Sequence, residues 1–324
     1  MTDVQFRKMR FDLDESVPFQ WNPANPASGV MANMISFMAV GFERYIVLAV
    51  KEALKGIGDA ALREEAEVFL AQESQHSAAH RHHVNGLIKQ YPALGGVLGT
   101  VITSYEDLYA AQPLKFHLAY IASIEATFPA LFSFMIRHRD RLYYGDSRVA
   151  SLFMWHYVEE IEHRSSAEII FDGVVGDKWY QLRMLRHSMR HVTMLSRMIA
   201  DGIAAAVPAE DAKVDARVAT SAMWRGELMK RLPLLKNRRG SLPPTAFDGI
   251  ATREVLRLVG GLLASQLPTH HPGNVAVPEW FHTWMRDFDA GLDMAHYYGV
   301  GSATAQRRWL ASSESSTGPT QRRR

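Results

Sequence analysis

Glu73-Ser74-Gln75-His76 and Glu160-Ile161-Glu162-His163 repeat one chemical unit, a carboxylate followed three residues later by an imidazole. On a helix, positions i and i+3 share a face, so each unit can offer an oxygen and a nitrogen donor to the same ion. A lone glutamate in an apolar stretch precedes each copy. Glu43 sits between Val40-Gly41-Phe42 and Tyr45-Ile46-Val47-Leu48, and Glu125 is the only charge in 118–136. A carboxylate is costly to bury unless it is paired or coordinated. Four carboxylates and two histidines on four successive helices are the donor set of a dinuclear metal site inside a helix bundle. In such bundles Glu73 and Glu160 bridge the ions, while Glu43 and Glu125 each bind one. His156, one turn before Glu160, adds a seventh donor, and His80, one turn after His76, is a further ligand or the support of one.

The spacing alone would prove little. With 18 glutamates and 14 histidines in 324 residues, roughly one Glu-x-x-His arises by accident. A third copy, Glu279-Trp280-Phe281-His282, follows Pro278, where the helix dipole favours a first-turn carboxylate, and it has no partner glutamate in an apolar setting. It is read as the accidental one. Glu64, Glu65, Glu67, Glu159 and Glu162 are read as solvent-facing, the usual place for a helical glutamate.

The elements needed to hold the donors follow from punctuation and periodicity. Residues 1–26 form an irregular arm ending in Asn22-Pro23-Ala24-Asn25-Pro26. Helices are expected over 28–55, over 59–90 with Asp59 as cap, over 113–143, and over 146–171, with a short helix over 104–111 in the connection marked by Gly95, Gly96 and Gly99. Pro129, four residues after Glu125, removes a helical hydrogen bond and should kink the third rod beside the site. Further helices are expected over 177–205, 212–230, 252–266 and 279–296. Residues 27–206 are then expected to make a di-metal four-helix bundle, which the resemblance given below implies is ferritin-like, 207–311 an additional helical region packing on it, and 312–324 a disordered tail. The class is all-α.

Composition narrows the chemistry. The chain has no cysteine, so disulfides, iron–sulfur clusters and thiolate sites are excluded, and iron, manganese or zinc on oxygen and nitrogen donors remain. The first sixteen residues lack an apolar run of signal length, so a cytoplasmic protein is expected. Net charge is only +2, yet Arg183, Arg186, His187, Arg190, His191 and Arg197 form a stripe, and Arg231, Lys236, Arg238 and Arg239 cluster further on. The stripe is read first as a solvated face, with a peripheral membrane surface or an anionic carrier as the functional reading. No nucleic-acid reader motif accompanies it.

His156-x-x-x-Glu160-x-x-His163, with Glu125, Glu73-x-x-His76 and Glu43 before it, resembles the ferritin-like di-iron N-oxygenases that oxidise arylamines. The stretches 72–80 and 155–163 resemble more closely the bacterial family catalogued as predicted metal-dependent hydrolases, over about 42–172. That family commonly places His directly after the third-helix glutamate, where this chain has Ala126. The first resemblance implies two iron ions, O2 activation and an external electron donor. It implies a small apolar or aromatic substrate, with an amine among the candidates, near Phe128, Phe132 and Trp155, and Glu73 and Glu160 at the centre of the chemistry. The second implies hydrolysis at a dinuclear site that tolerates zinc or manganese. A homodimer is compatible with either.

Overall fold

The computed structural model describes residues 6–221, 231 and 244–302. The expected helix beyond Ser221, the connection carrying Lys236, Arg238 and Arg239, and the tail 312–324 lie outside the described residues. Everything described is helix, turn or coil. Among the described residues the sole extended pairing is an isolated bridge between Asp146 and Val300, so the all-α class holds.

Two long rods come first. Helix α1 (Pro26–Ala53) starts at Asn25, whose side chain accepts from the Ser28 N–H at 3.2 Å. Helix α2 (Ala60–Gln90) starts at Asp59, whose carboxylate accepts from the Leu62 N–H at 2.8 Å. Both are side-chain N-caps satisfying a first-turn donor. The rods pack along each other, and α3 (Leu94–Ala111) packs on α1. At Gly41 a Cβ would lie 2.7 Å from Val101 and 2.8 Å from Tyr105, so glycine lets α3 close onto α1 two residues from Glu43. The glycines expected to mark a loose connection lie inside α3, which begins ten residues before the short helix read from sequence.

The third rod is broken at the site. Helix α4 (Leu114–Glu125) ends on Glu125 itself, Ala126 and Thr127 turn, and α5 (Phe128–Arg137) restarts with Pro129 in its first turn. A proline is tolerated there because first-turn N–H groups lack helical partners anyway. The expected kink is thus a full break. Helix α6 (Arg139–Leu142) is a single turn, and α7 (Ser147–Glu162) is capped by Asp146. The fourth rod also breaks, at His163, before α8 (Ser166–Val174).

Helix α9 (Lys178–Ala206) packs on α4 and α3, and the short α10 (Ala209–Ala212) and α11 (Ala216–Ser221) follow. Helix α12 (Thr252–Ala264) lies on α5. Helix α13 (Glu279–Asp289) stops well before residue 296, where Gly291 takes φ +75°.

Residues 6–25 are irregular as expected, yet tightly held. Phe11, Leu13, Val17, Phe19 and Trp21 are buried, Trp21 donates to Asn33 at 3.1 Å, and Asn22 donates to the Leu142 carbonyl at 2.8 Å. Two helical stretches, Pro26–Ala53 and Leu114–Arg137, are long and apolar enough to cross a membrane, but 72% of each apolar window is buried within the protein. Their apolarity is that of core rods, and each carries one of the lone glutamates.

Candidate metal centre

The seven donors come from α1, α2, α4 and α7 and the turn after α7, and each is 3% exposed or less. They fall into two groups in which one donor atom per residue lies within 4.8 Å of all the others. Glu43, His76, His156 and Glu160 form one; Glu73, Glu125, Glu160 and His163 form the other. Glu160 belongs to both. Its Oε1 is 2.8 Å from His156 Nε2 and 3.4 Å from His76 Nδ1, while its Oε2 is 3.0 Å from His163 Nε2. Glu43 Oε1 lies 3.4 Å from His156 Nε2, and Glu73 Oε1 lies 3.3 Å from His163 Nε2 and 3.8 Å from His76 Nδ1.

The electrostatics of this arrangement are those of a site built for cations. Burial, then the charges of neighbouring carboxylates, push Glu43 and Glu125 well above the usual carboxylate range. Burial and Glu160 raise Glu73 to about 8. Glu160 goes the other way: burial pushes it up, but the charge of His163 and hydrogen bonds from His156 and His163 hold it well below. Burial and crowding thus disfavour the charged forms of Glu43, Glu73 and Glu125, which hold their protons more tightly than free carboxyls do. Divalent cations would replace those protons. The unmet valences point the same way, since Glu43 Oε2, both oxygens of Glu73, Glu125 Oε1 and His76 Nδ1 are buried without a hydrogen-bond partner. Buried polar atoms are rarely left so. Oxygen and nitrogen donors of this kind suit iron, manganese or zinc.

Each histidine is gripped from behind. His76 Nε2 lies 3.0 Å from Glu159 Oε2, His163 Nδ1 lies 2.8 Å from Gln72 Oε1, and His156 Nδ1 lies 2.8 Å from His80 Nε2. Such partners fix the ring so that its other nitrogen faces the ion. His80 therefore stands behind His156, and is in neither donor group. Its Nδ1 meets Ser36 Oγ at 2.9 Å, and the same hydroxyl lies 2.9 Å from His83 Nδ1.

Two residues read as solvent-facing are not. Glu159 and Glu162 are buried, and Arg7 from the arm lies over both, with 2.7 Å hydrogen bonds to the two oxygens of Glu162 and a 3.6 Å approach to Glu159. Gln72 also donates to Glu162 at 3.1 Å. Periodicity missed this because α7 is buried around its whole circumference. A helix with no solvent face carries no amphipathic signal for a buried glutamate. The run from Val149 to Glu162 is buried at every position.

Two of the three aromatic candidates pack against donors, and the third, Phe128, packs behind Phe132. Trp155 is fully buried with its ring 5.0 Å from that of His76, Phe132 lies 5.9 Å from His156 and stacks on Tyr157 at 4.4 Å, and Phe128 sits 4.7 Å from Phe132. In the basic stripe, Arg183, Arg186, His187, Arg190 and Arg197 are exposed. His191 turns inward instead, 3.0 Å from both Tyr120 OH and Ser104 Oγ, because it faces α3 and α4. Glu279 and His282 are exposed, as expected of an accidental spacing.

Fold and site together define an all-helical protein with a buried carboxylate–histidine centre able to hold metal. The chain belongs to the family described as predicted metal-dependent hydrolase, whose model matches residues 5–240. No curated protein and no solved structure matches it.

Proposed function

We propose that the protein is a dinuclear metal-dependent hydrolase. The observation that carries the reading is the pair of buried four-donor groups sharing Glu160, in a member of a family described by metal-dependent hydrolysis. Two divalent cations there would supply Lewis acidity and a nucleophile at neutral pH. Glu43, His76 and His156 would hold one, Glu73, Glu125 and His163 the other, and Glu160 both. The chain does the rest. Glu159, Gln72 and His80 hold the three imidazoles in register, and Trp155, Phe132 and Phe128 keep bulk water from the donors, which strengthens each electrostatic contact. The same three rings suit a small apolar or aromatic substrate.

One observation favours a second reading, O2-dependent oxidation at two iron ions fed by an external electron donor. Four carboxylates against three histidines, with no sulfur, are a hard, oxygen-rich donor set. The two readings part in one experiment. Protein loaded with zinc or manganese under nitrogen is assayed on ester and amide panels, and iron-loaded protein is assayed with aromatic amines, O2 and a reductant. Turnover in the oxygen-free arm supports hydrolysis; turnover confined to iron with O2 and reductant replaces it with oxidation.

A further inference from the structure

The outer face of α9 carries a different signal. Its 29 residues contain five Lys or Arg and one acidic residue, Asp201, close to its C-terminal end. The first half presents Trp179, Leu182, Arg183, Arg186, Met189 and Arg190 to solvent. Trp179 is 67% exposed and Met189 46%, far more than core-forming side chains of a folded chain usually show. Arg183 makes an exposed ion pair to Asp177 at 3.8 Å, and the exposed Arg186 and Arg190 further along leave this face net positive.

The apolar surface continues onto a second element. Leu182 and Leu267 line one narrow cleft of about 20 Å³ with Ser123 and Ala126 in its wall. Leu267 and Leu263, one turn apart just beyond and at the end of α12, are 57% and 69% exposed. Gln266 ties this segment to α4 through a 3.0 Å hydrogen bond to the Ser123 carbonyl. Large apolar side chains, a tryptophan and the arginines of α9 therefore share one surface.

We propose that this surface binds an anionic lipid bilayer. An interfacial helix needs apolar side chains to enter the acyl boundary and arginines to meet headgroup phosphates, and α9 has both interleaved on one face. Charge complementarity selects the occupant, because a bilayer containing anionic lipid attracts each nearby arginine by its surface potential. A cluster of this sign repels a second copy of itself. Binding here is independent of the metal reading. If both hold, the lipid surface lies against the cleft whose wall flanks Glu125.

The test is co-sedimentation of the full chain with vesicles of phosphatidylcholine alone or of equimolar phosphatidylcholine and phosphatidylglycerol. The wild type pellets with the anionic vesicles and stays in solution with the neutral ones. Arg186→Glu/Arg190→Glu loses at least about tenfold in partitioning, and Trp179→Ser/Leu263→Ser also weakens it. Circular dichroism and metal content, unchanged in both variants, separate lost docking from lost folding. Equal partitioning on neutral vesicles, or variants that pellet like wild type, would overturn the proposal. So would a concentration-dependent dimer, seen by light scattering, that the same substitutions dissolve.

Discussion

Arg7 grips Glu162 with two parallel 2.7 Å hydrogen bonds across 155 residues of sequence, and both side chains are buried. The arm ahead of the first helix thereby closes over Glu162, which meets Gln72 behind His163, and over Glu159, which supports His76. Removing one member of a buried ion pair leaves the other charge uncompensated. Arg7→Ala is expected to cost about 3–5 kcal/mol by urea unfolding. Arg7→Lys should recover only part of it, since a lysine cannot form the two-pronged bond.

Glu160 is the residue shared by both donor groups. Glu160→Ala should therefore hold neither ion firmly, whereas Glu43→Ala should lose one and keep the other. Elemental analysis after dialysis measures the ratio. Retention of two ions by Glu160→Ala would end the ligand assignment.

His80 touches His156 and stands in neither donor group. His80→Ala should keep the capacity for two ions but weaken affinity by about 10- to 100-fold, as loss of an outer hydrogen-bond partner does. Isothermal titration with zinc reads both quantities. A drop in stoichiometry would make His80 a ligand.

Metal-induced stabilisation should grow as pH rises above about 6.5. Without metal, Glu73 titrates near 8, Glu43 and Glu125 are also raised by burial and crowding, and His76 and His163 are raised by their carboxylate partners despite burial. In that window the metal-free fold binds more protons than the unfolded chain, so its stability falls with increasing pH. Cations take the deprotonated donors and reverse the trend. His80, lowered by burial and His156, and His156, lowered by burial and His76 to about 4, have the opposite sign, but only below the ordinary histidine range. Thermal melts with and without zinc at about pH 6.5 and 8 measure the difference; a constant increment would show that these protons are not displaced.

The sequence by itself determined where the long helices begin and which buried carboxylates and histidines come together. Asp59, Asp146 and Asp177 cap their helices as their positions require, and a glutamate in an apolar run must find a partner whatever the fold. The order Glu, Glu-x-x-His, Glu, Glu-x-x-His therefore identified Glu43, Glu73, His76, Glu125, Glu160 and His163 as residues that meet, and the one-turn spacing to Glu160 added His156. Only the tertiary structure decided what stands behind them. Arg7, Glu159 and Glu162 meet through a segment with no periodicity and a helix buried on every side, and neither leaves a trace in local pattern. His80 and His191 likewise owe their roles to which helix faces them, since the spacing along their own helices is the same whether a ring points at metal, protein or water.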